Sequence, residues 1–538
     1  MRWATVYRRR ALQLAAAAGL AGCVYASLHA NQWDVHAIGL VRFGRAAVTV
    51  GRISWDYQRT LYWSGVPATS AEYARLKSEV HTRGAQRLLE LCCANRGCFV
   101  KVGQHLGALD YLIPPEYVRT LRILHSRAPQ TPLPELLALV RSELGVEPSE
   151  LIAELDPEPL GTASLAQVYR AVLRDGTTVA LKIQHPKVLA NSFVDIKTME
   201  VLVQLVSWVF PDFQLMWLAE ETKKNLPNEL DFSKEAANAE RVAEMFKHFR
   251  WLRVPAVRWD LTTPRVLTME YCDGGQVNDP DHLHRHGISP REVSQKLGRL
   301  YSEMIFERGY IHCDPHPGNL LVRKKDATVE IVLLDHGLYT TLPDRLRWGY
   351  SRFWLSILSG DVASMEREGA GLGVGPLYGL LACMVAGRSW QAITSGLDRQ
   401  KLTDAEEGTI KEEVGRYLPE IASVLNKVPR ELLLIFKTND LLRGIEYSLG
   451  TKGSMTSLIT MSECCVRSVY GERYEQCSSV AGRAALLAGK HWTLLKIKLY
   501  EVYLRLFHSP LGRRLVALLA SWRGNKPTRH QPAVLPTA

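Results

Sequence analysis

The chain has 538 residues, 46% of them apolar, and a formal net charge of +11. That length excludes a fragment too small for a sizeable core and leaves room for more than one domain. The basic residues are dispersed, with local clusters at Arg8-Arg9-Arg10, Lys324-Lys325 and Arg513-Arg514, and no nucleic-acid motif accompanies them. The charge therefore argues against nucleic acid and for a solvated basic face or an anionic membrane surface.

Residues 1–33 contain Arg2, Arg8, Arg9 and Arg10, an Ala-rich apolar run from Ala11 to Leu28, and no acidic residue before Asp34. Three fates compete for this segment: a mitochondrial presequence, a secretory signal cleaved near Ala26 or Ala30, and a membrane anchor. At about 18 residues against the usual ~20, and with Ala contributing little to insertion, the run encodes a membrane span weakly. The ten cysteines are not a disulfide framework: Cys92-Cys93 and Cys464-Cys465 are adjacent, and Cys272 and Cys383 lie in apolar surroundings. There is also no Asn-x-Ser/Thr site. Both features favour a reducing interior, so a mitochondrial location is expected, with secretion as the alternative. Cys92, Cys93 and Cys98 lack a second ligand pair at useful spacing and read as structural thiols.

From residue 34 to 156 the pattern is mainly helical, with apolar residues at three- and four-residue spacing over Ala71 to Leu91 and Tyr117 to Leu124. A further helix, Pro134 to Leu144, starts with Pro in its first turn. Two β-rich runs, Leu165 to Leu173 and Thr178 to Ile183, flank Asp175-Gly176 and predict a hairpin whose second strand ends in Val179-Ala180-Leu181-Lys182. A lysine there is where a kinase fold holds the α- and β-phosphates. One helix containing Asn228 to Met245 offers carboxylates as its partner, with Asp231 and Glu235 on one face and Glu229 turned roughly 200° from Asp231. Arg265 to Tyr271 reads as a strand leading into Cys272-Asp273-Gly274-Gly275, a link between two lobes where backbone groups meet an adenine.

The richest stretch follows, His312-Cys313-Asp314-Pro315-His316-Pro317-Gly318-Asn319, then a strand at Val329 to Leu334 and Asp335-His336-Gly337. A His-x-Asp, an Asn five residues after the Asp and a strand-end Asp-x-Gly place one proton-accepting carboxylate and two metal ligands around a nucleotide phosphate. Asp314 is the candidate acceptor, and Asn319 and Asp335 are candidate Mg²⁺ ligands. After Gly337 only Leu338 to Pro343 precede the next helix, Asp344 to Leu358, so the platform on which protein kinases lay a peptide is missing. Residues 361 to 470 read from the sequence as helical and apolar. Trp492 to Val516 alternates aromatic, aliphatic and basic residues, as in a packed helix or one lying on an anionic membrane. Arg523 to Ala538 is polar and Pro-rich, with the composition of a disordered tail.

Four motifs occur in one order: Lys101-Val102-Gly103-Gln104, Thr162-Ala163-Ser164-Leu165-Ala166-Gln167-Val168-Tyr169, Glu229-Leu230-Asp231, and His312 to Asn319. With them the chain resembles the UbiB, or aarF-domain, family of atypical kinases over roughly residues 80 to 475. The resemblance implies an α+β, protein-kinase-like two-lobed fold with an N-terminal helical extension over the active site and a helical C-terminal tail. It divides the chain into a targeting or anchor segment (1–33), the extension (34–156), an N-lobe (157–275), a C-lobe (276–475) and the tail (476–538). It also implies that Gly161, Thr162, Ala163, Ser164, Val168, Lys182, Glu270 and Cys272 meet a nucleotide, ATP or another, and that Lys182 pairs with Glu235. Lys101 and Gln104 would point toward the active site with Glu229 and Asp231 as partners, while Asp314 and Lys182 serve catalysis with Mg²⁺ on Asn319 and Asp335.

Family members are tied to membranes and to isoprenoid lipid and quinone homeostasis, which makes an anionic lipid surface and mitochondrial membrane proteins the expected partners. Two departures stand out: Gly161-Thr162 replaces the common Ala-Ala, leaving nucleotide preference open, and His336 replaces the usual Phe. Three functions follow: an atypical kinase or ATPase, a nucleotide-binding scaffold without chemistry, and a Ser/Thr protein kinase.

Overall fold

The computed structural model describes residues 38–107, 113–125, 129–211, 216–326, 328–395, 424, 427–451 and 455–507. The segment 1–33, with its three alternative fates, and the tail from Arg523 lie outside the described residues. Strands are numbered β1 (Ile152–Leu155), β2 (Gly161–Thr162), β3 (Ala166–Leu173), β4 (Thr178–Gln184), β5 (Leu252–Arg253), β6 (Val266–Glu270), β7 (Gly275–Gln276), β8 (Tyr310–His312), β9 (Leu320–Lys325), β10 (Thr328–Leu333) and β11 (Tyr339–Thr341). The chain forms two compact units, one containing residues up to Ala236 with Val257–Tyr271, the other Ala237–Ala256 with the chain from Cys272 onward.

In the first unit the helical extension and the first sheet belong together. Helices Gly39–Tyr57, Ala71–Asn95, Cys98–Gly107 and Pro115–Leu121 bury Ala46, Leu91, Phe99, Val100, Leu121 and Leu124 with Leu202 of helix Val188–Val209 in one core. Ser70 starts the helix Ala71–Asn95 by accepting the Tyr73 N–H at 3.0 Å. A buried, two-point ion pair ties the helix Gly39–Tyr57 to Val188–Val209: Arg42 Nε and Nη2 stand 2.7 and 2.5 Å from the two carboxylate oxygens of Asp195. Within Lys101-Val102-Gly103-Gln104 the glycine is a packing requirement. A Cβ at Gly103 would lie 2.5 Å from Leu124 Cδ1 and 3.0 Å from Cys92 Sγ.

The sheet of this unit runs β1-β3-β4-β6, with β2 on β3, all antiparallel. Its strand β1 corrects the reading of residues up to 156 as helical: Ile152 and Leu155 pack against the sheet core and the backbone pairs with β3, so tertiary pairing decides the conformation. One face, bearing Tyr169, Leu181, Ile183 and Val266, packs on Leu136, Leu139 and Val140 of helix Leu133–Leu144. The other bears Ala166, Ala180, Leu267 and Met269 and packs on Phe232 and Ala236.

The expected single helix over Asn228 to Met245 is two, Met216–Glu229 and Phe232–Met245. Asp231 explains the break, because its Oδ1 accepts the Ser233 N–H at 3.1 Å and so caps the second helix. The sharing of a helix face by Asp231 and Glu235 is thereby replaced by a cap and a first-turn residue.

The second unit holds a sheet ordered β5-β10-β9-β7 and the two-stranded pair β11-β8. Helices Pro290–Ser302, Asp344–Ser359, Arg430–Ser448 and Met455–Gln476 surround them, with Leu297, Leu300, Tyr350, Phe353, Leu432 and Ile435 buried. The basic-aromatic stretch expected from Trp492 lies in a helix that spans Val480–Phe507 among the described residues. No helix among the described residues is long and apolar enough to cross a membrane. The described cysteines are all free thiols.

Candidate functional site

Candidate site residues lie in both units. In the first, antiparallel register sets Val168 opposite Lys182 and Ala180 opposite Met269, so these four side chains share the face that also receives Phe232 and Ala236. On this apolar face Lys182 Nζ stands 2.7 and 2.9 Å from the two carboxylate oxygens of Glu235, and 5.2 Å from the centre of the Phe232 ring. Both partners are buried. A paired ammonium beside small and flexible apolar side chains is what a nucleotide's phosphates and base require.

Gly161 and Thr162 form the short strand β2 against Val168 and Gln167, and Ala163 N–H closes the turn on Ala166 C=O at 2.8 Å. The turn is held from below. His185 lies 3.3 Å through Nε2 from the Ala163 carbonyl and 2.8 Å through Nδ1 from Thr131 Oγ1, and its backbone N–H donates to Leu165 C=O at 2.9 Å. A carbonyl only accepts, so Nε2 carries the proton and Nδ1 accepts from Thr131. Burial pushes the His185 pKa down, in keeping with this neutral form. Ser164 is buried, and Gln167 accepts the Thr131 N–H and donates to Tyr169 Oη at 2.8 Å. The turn between β2 and β3 is thus tight and anchored. Glu270 ends β6 opposite Val179, and Cys272 is buried just beyond it.

Of the residues assigned to the extension motifs, the structure brings together Lys101 and Glu229, with Nζ 2.7 Å from Oε2. The other two go elsewhere. Gln104 Nε2 donates to the Leu124 carbonyl at 3.0 Å, its own carbonyl is 3.1 Å from His125 Nε2, and Asp231 serves as the helix cap described above. The expected pairing of Gln104 and Asp231 across the motifs is corrected accordingly: an amide one turn from Lys101 meets a helix-end carbonyl first.

In the second unit, β8 delivers the loop. Asp314 C=O accepts the His316 N–H at 2.7 Å and Asn319 Nδ2–H at 3.1 Å, which closes the loop on itself and turns Asn319 Oδ1 to the other side of the amide. The β9–β10 register pairs Leu320 with Leu333, and Leu334 N–H extends the ladder to Asn319 C=O at 3.0 Å. Asp335 therefore follows directly from the rung that holds Asn319. Its Oδ1 accepts the Gly337 N–H at 2.9 Å, a turn made by the Asp-x-Gly itself. A carboxylate and an amide oxygen are hard donors and fit Mg²⁺ rather than a thiophilic metal.

Two buried histidines hold this region. His312 Nε2 is 2.7 Å from the Asp335 carbonyl and Nδ1 2.9 Å from Tyr301 Oη, so Nε2–H donates and the phenol donates to Nδ1. Its pKa is lowered by burial, the neighbouring Asp314 opposing. His336 repeats the pattern, Nε2 to Leu333 C=O at 3.0 Å and Nδ1 to Tyr339 Oη at 2.8 Å, with its ring stacked on Tyr339. The polar ring in place of Phe is thus satisfied within the interior by two hydrogen bonds.

Several residues here lie outside every motif of the sequence. Asn238 donates to His336 C=O at 3.0 Å and accepts from Tyr310 Oη at 2.7 Å. Helix periodicity could have found it, since it lies three residues after Glu235. Met269 is set opposite Ala180 only by strand register. Lys437, from helix Arg430–Ser448, places Nζ 3.0 Å from Asp314 Oδ1 across 123 residues of sequence.

Residues 123–368 match a family model described as the ABC1 atypical kinase-like domain. The chain is 50% identical to chicken (Gallus gallus) AarF domain-containing protein kinase 1 over 515 residues, 95% of this chain and 98% of that protein. It is 48% identical to the mouse (Mus musculus) protein of the same name, over 97% and 99% of the two chains. It is likewise 48% identical to Drosophila melanogaster AarF domain-containing kinase 1, over 91% and 95%.

Proposed function

The chain belongs to the ABC1/AarF family of atypical kinases, and from that premise we propose that it is an ATP- and Mg²⁺-dependent phosphotransferase or ATPase acting on a lipid or another small molecule at a mitochondrial membrane, in membrane, lipid or quinone homeostasis. The observation that carries this reading is the buried Lys182–Glu235 pair on the apolar face beside Val168, Ala180 and Met269. A buried ion pair costs desolvation and adds little net stability, so its placement on a face suited to a base and phosphates has a functional rationale. Asn319 and Asp335 would hold the metal, which when bound neutralises charge on the phosphates, and Asp314 would accept the proton of the attacking hydroxyl or water.

The short chain after Asp335 supports a small acceptor over a peptide. Tyr339–Thr341 pairs at once with β8 and the next helix starts at Asp344, so no long segment is available as a peptide platform. A membrane partner is supported by an exposed apolar stripe on helix Val188–Val209: Leu189, Phe193, Val201, Leu205 and Trp208 recur at three- and four-residue steps or their double, with Phe193 71% and Trp208 83% exposed. Helix Gly39–Tyr57, packed beside it, adds exposed Leu40, Val48 and Trp55, and exposed Arg52 and Arg59 suit anionic headgroups. The mitochondrial location rests on the Arg-rich composition of residues 1–33, which has no acidic residue, and on the thiol pattern.

The test is turnover by the purified full chain with Mg·ATP and phosphatidylglycerol vesicles, against an Asp335→Asn control. Hydrolysis or transfer well above the control is expected. Nucleotide binding without turnover would favour the scaffold reading instead.

A further inference from the structure

Asp314 is held by a residue that lies outside the matched kinase-like domain. Helix Arg430–Ser448 begins well beyond residue 368, where the family match ends, yet Lys437 Nζ stands 3.0 Å from Asp314 Oδ1. This is not a loose surface pair: the lysine and aspartate side chains are 13% and 28% exposed. The helix is fixed by buried Leu432, Ile435, Phe436, Thr438 and Ile445, two of which flank Lys437 in sequence. Farther along, Arg443 donates to the carbonyls of Met384 and Val385, and Ser294 Oγ donates to Glu446 Oε1 at 3.2 Å. An ammonium so placed is pre-oriented.

The catalytic loop itself has a poor candidate for this charge. His316, two residues after Asp314, accepts the Gly318 N–H at Nδ1 over 3.2 Å, so in this geometry the ring does not carry a proton on both nitrogens. Phosphoryl transfer gathers negative charge on the moving group, and a fixed cation beside the attack site stabilises it.

We propose that Lys437 is a working part of the phosphoryl-transfer site, orienting the Asp314 carboxylate and supplying a positive charge to the transferred phosphoryl group. This rests on the nucleotide reading given above. In the transfer the acceptor oxygen forms the new O–P bond and its proton passes to Asp314. The bond to the β-phosphate breaks, and ADP leaves with the electron pair. Lys437 keeps its proton throughout.

The experiment compares wild type, Lys437→Met and Lys437→Arg as full chains, titrating Mg·ADP and a non-hydrolysable Mg·ATP analogue and measuring turnover. Lys437→Met is expected to lower the preference for the triphosphate over ADP roughly tenfold or more, with ADP affinity kept within about twofold. It should lower kcat by about 10²–10³, and Lys437→Arg should restore the triphosphate preference. Unchanged preference and kcat in Lys437→Met would overturn the proposal, as would a joint loss of ADP affinity and melting temperature that arginine does not restore. If wild type binds the analogue but does not turn over, the activity reading fails, and the triphosphate-to-ADP ratio alone decides the role of Lys437. If wild type binds neither nucleotide, both readings fall.

Discussion

Replacing Glu235 by Leu would strand the Lys182 ammonium on a buried apolar face. The two side chains are 9% and 5% exposed and their atoms 2.7 and 2.9 Å apart, so little solvent can compensate the lost carboxylate. Breaking one partner of such a pair costs about 3–5 kcal/mol. Removing both, as Lys182→Met with Glu235→Leu, leaves an apolar pair among Ala180, Leu267 and Met269, and stability should return to within about 1 kcal/mol of wild type or exceed it. With each single variant breaking the pair at about 3–5 kcal/mol, the coupling in the double-mutant cycle is then at least about 5 kcal/mol, well above the ~0.5 kcal/mol error of additivity. Urea unfolding of the four proteins measures it. Titration with a fluorescent nucleotide measures the other half: both variants lacking Lys182 should lose about tenfold or more in affinity, because a charge-assisted phosphate contact is gone. Stability and binding thus part company in the double variant. A double variant as unstable as Glu235→Leu, or one that binds nucleotide within twofold of wild type, would refute the reasoning.

Gly103→Ala should destabilise by about 1–3 kcal/mol, read as a lowered melting temperature, because its Cβ meets Leu124 and Cys92 in a filled core. His185 gives a pH signature. Its folded pKa is depressed, so its neutral form contributes fully above the unfolded pKa of about 6.5, and the contribution is lost as pH falls below that value, by up to about 1.4 kcal/mol per pH unit. The stability slope between pH 6.5 and 5.5 should be shallower in His185→Gln; an identical slope would exclude the histidine as a source. Phe193→Glu with Trp208→Glu should cut binding to anionic vesicles in a sedimentation assay while leaving nucleotide affinity within twofold. Unchanged sedimentation would remove the exposed stripe from the account.

What sequence could show depended on range. The hairpin, the lysine at the end of its second strand and the Asp314-to-Asn319 spacing are local, so turn chemistry and alternation exposed them. The structure then adds the register that sets Val168 opposite Lys182 and carries Asp335 on from the rung of Asn319. Asp231 misled because a carboxylate one turn before Glu235 reads equally as a helix-face partner or as a cap, and only the Ser233 N–H decides. Gln104 failed for a similar reason, its amide donating to the Leu124 carbonyl instead. Ile152–Leu155 is too short for its period to tell strand from helix without the neighbouring β3. Lys437 was beyond reach: nothing in an apolar helix marks one lysine as the partner of an aspartate 123 residues away.

The proposed Mg·nucleotide chemistry is tested most directly by titrating the full chain with ATP at increasing Mg²⁺, in wild type and Asp335→Asn. The account predicts that Mg²⁺ tightens ATP binding to wild type by about tenfold or more and leaves Asp335→Asn nearly unaffected. Equal Mg²⁺ dependence in the two proteins, or ATP binding that Lys182→Met does not weaken, would contradict it.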